Sequence, residues 1–258
     1  MMLFAFAFSQ ALEMHILPQL SMNGIYWFFI GCFSFSMVFT KWMPSYTAAH
    51  GSVTVEKASV DADVRSHVPR YIPWLCLTAI FVTYINIGAY WTYIELASLD
   101  AGVPDHWIGN VLVWASFLSI IGCAFATIVS NRFGLARPLF TALIMMTLIV
   151  GMLAGGITNT NIIVSVFMFN FLWIFIDVYQ MSTVAVVDPE GSFSALMPGA
   201  QGLGQIVGPN IAGSILGAKL GYSVVFMMCA TAAVCGMLIY AFMHSKLRAT
   251  NPTLMHAA

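Results

Sequence analysis

The chain is dominated by long apolar runs that contain almost no charged residues. Eight of these runs are candidate membrane spans, because a helix that rises 1.5 Å per residue needs about 20 residues to cross a bilayer. They cover residues 2–18, 23–43, 71–97, 108–130, 137–157, 160–187, 196–218 and 222–244. Backbone groups in lipid must be satisfied within their own segment, so continuous runs of this length predict helices.

Composition supports the same class of protein. Only 7% of the 258 residues are Asp, Glu, Lys or Arg, whereas a soluble domain has roughly 25% charged residues. The net charge of −1 argues against nucleic acid as a partner, because such binders carry a basic face. The sequence therefore predicts an all-α, polytopic transmembrane helix bundle of about eight spans, with the lipid bilayer as its main partner.

Basic residues are distributed unevenly between the two sides of this predicted bundle. When the connections are assigned alternately to two sides, one side holds eight of the nine Lys and Arg residues and the other holds only Lys219. Cytoplasmic loops carry the excess of Lys and Arg. We therefore expect a multi-pass protein of the inner or plasma membrane with a cytoplasmic C-terminus.

No enzyme signature stands out in the sequence. It contains no HExxH, GxSxG or Walker motif and no paired metal-ligand spacing. The five cysteines lie in apolar runs and form no CxxC pair. The sequence predicts no enzymatic activity, no metal and no cofactor.

Three local patterns accompany the last six runs. Residues 131–138 (NRFGLARP) form a short basic connection between two spans. Its glycine permits a tight turn, and its arginines can bond the C-terminal carbonyls of a helix. Residues 202–213 (GLGQIVGPNIAG) make a glycine-rich span interior, and residues 188–191 (DPEG) precede that span.

Together with six closely connected spans after a polar loop, these patterns resemble the C-terminal half of a major facilitator superfamily transporter. The first pattern resembles the basic D-R-x-G-R-R loop of that family, although Asn131 stands where Asp is common. The second and third resemble its G-x-x-x-G-P-x-x-G segment and a D-P-x-G turn. The resemblance implies that Asn131, Arg132, Gly134 and Arg137 form a cytoplasmic gating loop.

The resemblance also implies a division of the chain. Residues 1–43 would be the last two helices of an N-terminal half, the first of them partial, and 44–70 a cytoplasmic central loop. Residues 71–245 would be a C-terminal six-helix half, followed by a cytoplasmic tail at 246–258. The implied function is secondary active transport of a small solute by alternating access, with protons as candidate coupling ions. The alternative is a truncated, non-transporting membrane protein or an assembly subunit, because the first four helices of a complete member have no counterpart.

Asp177 is the strongest candidate for a functional side chain. A carboxylate within a span costs roughly 2.5–3.5 kcal/mol on insertion scales, so it usually faces a cavity or a partner. Asn170, Trp173 and Gln180 lie on the same helical face as Asp177. The functional interpretation is a protonatable group on a polar path; the structural one is an interhelical hydrogen bond to Gln201 or Gln205.

Further candidates lie on the span 71–97. Glu95 and Trp91 share a helical stripe with Tyr84 and Gly88, and Asn86 and Tyr90 form a second stripe with Tyr93. These residues are predicted to contact substrate or protons, or else to be interfacial residues at a span end. Gln201 and Gln205, one turn apart, are predicted to face a cavity or to pack between helices.

The glycine-rich span is predicted to support close helix packing. Gly204, Gly208, Gly213 and Gly217 create faces of small residues that let helix backbones approach closely. Pro209 among these glycines offers a second interpretation, in which the helix bends during alternating access.

Overall fold

The computed structural model of the chain describes residues 22–40, 69, 71–188 and 191–250. The chain divides into two units, Met1–Val60 and Asp61–Ala258. In the first unit, helix α1 spans Met22–Thr40. The predicted run 2–18 lies outside the described residues, as does all of the polar stretch 44–70 except Pro69.

The second unit holds six long helices, one for each of the last six predicted runs. They are α2 (Tyr71–Asp100), α3 (Asp105–Phe133), α4 (Ala136–Ala154), α5 (Asn159–Val187), α6 (Met197–Gly217) and α7 (Tyr222–Thr250). A short 3₁₀ turn, Ser194–Leu196, precedes α6. Because every regular element in the described residues is a helix, the prediction of an all-α bundle is confirmed. Helix α7 continues beyond the predicted span end at 244.

Five helices of the described part of the chain are long and apolar enough to cross a membrane: α2, α3, α4, α5 and α7. The chain is thus an integral, multi-pass membrane protein. Helices α1 and α6 are not among the five. In α6, two glutamines, an asparagine, two prolines and six glycines interrupt the apolar sequence.

The side-chain contacts give the direction in which each helix runs. Tyr84 of α2 lies against Gly204 of α6 and Tyr93 lies against Gly213, so these two helices are parallel. Helices α3 and α5 are also parallel, since Gly122 faces Phe171 and Ala126 faces Tyr179. Contacts of the opposite order make α2 antiparallel to α5 and α7, and α4 antiparallel to α7. Successive helices therefore alternate in direction, and α6 packs alongside α2 as the sixth helix of the bundle.

The packing of the six helices contains an internal repeat. The main packed pairs are α2 with α6 and α7, α3 with α5, and α4 with α5 and α7. Helices α2, α3 and α4 correspond in order to α5, α6 and α7. Replacing each helix by its counterpart turns the pair α2–α6 into α5–α3 and the pair α2–α7 into α5–α4, and it leaves α4–α7 unchanged. Because each repeat has three helices of alternating direction, the two repeats are inverted relative to each other.

The centre of the unit is aromatic and tightly packed. Tyr90 of α2 stacks on Phe169 of α5, with ring centroids 3.8 Å apart, and contacts Phe226 of α7 edge-on. All three rings are buried. This cluster joins the first helix of each repeat to α7, and so positions the polar residues that precede Tyr90 on α2 and follow Phe169 on α5.

Candidate functional site

Three helices meet at the carboxylate of Asp177. The hydroxyl of Tyr84, on α2, donates a hydrogen bond to Asp177 Oδ1 at 2.8 Å. The amide Nε2 of Gln201, on α6, donates to the same oxygen at 2.6 Å. The interhelical bond to Gln201 was one of the two interpretations of Asp177 in the sequence, and the geometry confirms it.

Glycines on α2 and α6 allow this junction to form. A Cβ atom at Gly204 would lie 2.5 Å from the carbonyl oxygen of Phe81, and one at Gly88 would lie 2.7 Å from Cα of Gln205. A Cβ at Gly208 would collide with the carbonyl oxygen of Ile85. The two backbones are therefore in contact, as small residues permit in membranes. This close approach brings Gln201, one turn before the glycines, to the carboxylate on α5.

The other predicted glycines are less closely packed. A Cβ at Gly213 would lie 3.1 Å from the Tyr93 hydroxyl, and one at Gly217 would meet nothing within 4 Å. The predicted packing face is thus confirmed at Gly204 and Gly208 and ends before Gly217.

The second oxygen of Asp177 differs from the first. Asp177 Oδ2 accepts no hydrogen bond from the described residues, and it is not among their fully buried, unpartnered polar atoms. Asp177 as a whole is half-buried. Within the described part of the chain, the side chains that interact with this carboxylate are Tyr84 and Gln201, and no Lys, Arg or His is among them.

Two tryptophans continue the site from Asp177. Trp173 lies one turn before Asp177 on α5, and its indole lies near the Tyr84 hydroxyl without the alignment of a hydrogen bond. Its ring contacts Trp91 of α2 edge-on, with centroids 5.9 Å apart. Both indoles are half-buried, and neither Nε1 has a hydrogen-bond partner among the described residues. Trp173 therefore provides aromatic surface within one turn of the carboxylate, and Trp91 extends that surface on α2.

Two amide side chains predicted to lie on a polar path are completely buried. Asn86 of α2 and Gln180 of α5 have no exposed surface, and neither side chain forms a hydrogen bond with a described residue. An unpaired buried amide costs free energy unless water or another group satisfies it. Asn86 and Gln180 therefore mark polar positions inside the unit rather than on its surface.

Tyr90 and Asn170 are placed in the core. The Tyr90 hydroxyl lies 2.8 Å from Ser165 Oγ of α5, and its ring belongs to the stacked cluster described above. Asn170 is buried and donates through Nδ2 to the carbonyl of Val166 on its own helix, at 2.8 Å. These contacts join and pack helices, and Ser165 was absent from the sequence prediction.

An open groove of about 490 Å³ lies further along α2 and α6. It is lined by Tyr93, Pro209, Asn210, Gly213 and Ser214. The Tyr93 hydroxyl donates to the Pro209 carbonyl at 3.3 Å, so Tyr93 is a contact between helices rather than an interfacial residue alone.

The remaining predicted side chains of α2 and α6 are exposed. Glu95 and Gln205 both lie at the surface of the unit. The structure places neither of them in hydrogen-bonding contact with Asp177, whose acceptor bonds come from Tyr84 and Gln201.

The two predicted connections have the expected glycine turns. Gly134 ends α3 with φ of 70°, and Arg137 is exposed in the first turn of α4. Asn131 and Arg132 lie in the last turn of α3, and the positions of their side chains are not described. In the second connection, Gly191 has φ of 76°, and Asp188 Oδ2 accepts a hydrogen bond from the Ser194 amide at 2.7 Å.

Tyr84 is the site residue that the sequence interpretation placed on a stripe but did not select. Its partner Asp177 is 93 positions away, so no local spacing connects the two residues. One pattern in the sequence pointed to Tyr84. It shares a helical stripe with Gly88, which contacts α6, and with Trp91, which belongs to the tryptophan pair.

The chain was also compared with known proteins. No protein-family model matches it, and no curated protein matches it at a significant level.

Proposed function

We propose that this chain is a secondary transporter of the major facilitator type, which moves a small solute by alternating access and couples that movement to a proton on Asp177. The observation that carries the proposal is the carboxylate itself. It lies well inside an apolar helix, at a junction of three helices, with neutral partners and one accessible oxygen. Intramembrane carboxylates of this kind mark proton relays and substrate paths.

The inverted repeat supports the same function. Many secondary transporters consist of inverted three-helix repeats, and their solute and ion sites lie near the bilayer midplane at the repeat interface. Here Asp177 belongs to α5 in one repeat and accepts from Tyr84 of α2 in the other. Movement of one repeat against the other would therefore change the surroundings of the carboxylate.

The exposed surface of α6 supports a path for solute. Gln205, Asn210 and Ser214 are exposed on a helix that lies parallel to the apolar α2. Polar side chains in the membrane usually face a bundle interior or a watery cavity. We propose that this face lines the cavity between two halves of the transporter, that the protein lies in the inner or plasma membrane, and that its C-terminus is cytoplasmic.

Proton flux in reconstituted vesicles tests this function. Purified protein is incorporated into liposomes that contain a pH-sensitive dye, and sugars, amino acids, carboxylates and organic amines are added in turn. We expect at least one class of solute to produce a proton flux with the parent protein and with Asp100→Asn, an exposed carboxylate at the end of α2. Asp177→Asn should abolish that flux, because an amide cannot take up and release the proton.

Two outcomes would contradict the proposal. One is that no solute produces a proton flux, which favours a non-transporting subunit or remnant. The other is that Asp177→Asn behaves as the parent does, which excludes this carboxylate as the coupling group. Size-exclusion chromatography of each variant verifies that the protein remains folded.

A further inference from the structure

We propose that the solute taken by this site is an organic monocation, which binds to Asp177 in exchange for a proton. The inference rests on the proposed function, since it names the substrate class of the same site. Its central observation is a charge that the described part of the protein does not balance.

The neighbours of Asp177 are polar but neutral. Tyr84 and Gln201 stabilise Oδ1 through hydrogen bonds but carry no positive charge. The titratable groups that face this region are Tyr84 and Cys76 from α2 and Tyr240 from α7. The described parts of α3, α4 and α6 bring no charged side chain to the carboxylate. Asp177 is the only carboxylic acid in this group, and a carboxylate among neutral partners inside a membrane needs a proton or a cationic ligand to balance its charge.

The aromatic residues favour an organic cation. A cation is attracted to the face of an aromatic ring, most strongly to that of Trp, and quaternary ammonium groups are recognised in this way. Trp173 lies one turn before Asp177 on α5 and contacts Trp91 of α2, and both indoles are half-buried. A carboxylate that lies one helical turn from a pair of contacting indoles suits an ammonium group that carries apolar substituents.

A metal ion fits the same site poorly. Tyr84 and Gln201 present hydrogen atoms to the carboxylate, whereas Ca²⁺ and Mg²⁺ require several oxygen lone pairs. Among the described residues, no group of three His, Cys, Asp or Glu side chains is placed to hold a metal.

The exchange balances simply. The O–H bond of the protonated Asp177 breaks, the proton passes to water, and the cation takes its place beside the carboxylate. One monovalent cation replaces one proton, so the charge of the site is the same before and after the exchange. Transport by this step would move the cation and the proton in opposite directions.

Equilibrium dialysis with radiolabelled tetraphenylphosphonium tests the inference on purified protein. Tetraphenylborate is the matched probe, because it has the same four phenyl groups and the opposite charge. We expect saturable binding of the phosphonium, weaker binding at low pH because protons compete for Asp177, and no saturable binding of the borate. Asp177→Asn should lower the affinity at least tenfold, and Asp177→Glu should retain most of it. Asp100→Asn should bind as the parent does.

The aromatic part has its own variant. Trp173→Phe keeps a ring but weakens the cation–π attraction, so the affinity for the phosphonium should fall several-fold while the elution profile stays unchanged. Equal binding of both probes, or phosphonium binding that is unaffected by Asp177→Asn, would overturn the inference.

The two proposals fail separately. If a neutral solute produces an Asp177-dependent proton flux while the phosphonium does not bind, transport stands and the cation inference falls. If the phosphonium binds at Asp177 but no solute produces a flux, the cation site stands and the transport function falls.

Discussion

The packed pairs α2–α6 and α3–α5 occupy equivalent positions in the inverted repeat, and they use the same means of contact. In each pair a tyrosine donates to a carbonyl of the parallel helix at 3.3 Å: Tyr93 to Pro209 and Tyr179 to Ala126. In each pair a glycine also lies against the backbone of the other helix. Gly208 faces the carbonyl of Ile85, and Gly122 faces that of Phe171.

The outer surfaces of the two pairs differ. Helix α3 exposes a stripe of large apolar side chains: Trp114, Phe117, Ile121, Phe125 and Ile128. Helix α6 exposes Gln205, Asn210 and Ser214 among its apolar residues. The α3 stripe suits lipid, whereas the amides and hydroxyl of α6 suit water or a polar partner. The repeat therefore accounts for the architecture, and the difference between the exposed side chains of α3 and α6 gives only the α2–α6 pair a polar outer surface.

The largest effect is expected for variants of the glycine contacts that both helix pairs contain. Gly208→Leu and Gly122→Leu would each force a side chain into the backbone of the facing helix, and overpacking typically costs about 1–3 kcal/mol and occasionally more. We expect both variants to lose the folded fraction in size-exclusion chromatography and to melt at much lower temperature by circular dichroism.

Matched controls exist on the same two helices. A Cβ at Gly202 of α6 or Gly109 of α3 meets nothing within 4 Å. Gly202→Leu and Gly109→Leu should therefore melt close to the parent protein. If either control were as damaging as its partner, close packing at Gly208 and Gly122 would not explain the loss, since Leu has a higher helix propensity than Gly.

The next prediction tests the difference between the two surfaces. In a background without native cysteines, Asn210→Cys and Ser214→Cys are labelled by a membrane-impermeant maleimide in open membranes, since the reactive thiolate forms where water is present. Ile121→Cys and Phe125→Cys, on the lipid-type stripe of α3, should stay unlabelled until detergent and denaturant are added. Equal labelling of all four positions would show that the exposed surfaces of α6 and α3 do not differ in their access to water.

The helices themselves were predictable from the sequence, because long apolar runs in lipid have few alternatives to helix. A hydrogen bond between Asp177 and Gln201 or Gln205 was also predictable, since a carboxylate within a span needs a partner, and the fold selects Gln201. Helical spacing does not show which neighbour a stripe faces. Asn86 and Tyr90 share a stripe that faces the interior of the unit. They were predicted to line a substrate path, but the Asn86 amide is buried and the Tyr90 ring is stacked in the core. Tyr84 gained its role through a partner that only the tertiary packing supplies.

Helix α6 also shows how far its structure can be predicted from the sequence alone. Its glycines and amides lower the apolar content that identifies a span. Its parallel position beside α2 follows from contacts such as Tyr84 with Gly204, which depend on the whole bundle. A helix rich in glycine and amides is therefore harder to identify as a span from composition than a continuously apolar one.

The smallest expected effect compares the two tyrosine contacts directly. Tyr179→Phe and Tyr93→Phe each remove one hydroxyl, and interhelical hydrogen bonds in membranes are worth about 0.6 kcal/mol on average. Tyr179 is buried, whereas Tyr93 borders the open groove, where water can replace its hydroxyl at the Pro209 carbonyl. Tyr179→Phe should therefore reduce the free energy of unfolding in SDS titrations by more than Tyr93→Phe does. A larger loss at Tyr93 would mean that water does not reach the groove, and the polar surface of α6 would then be a packing surface.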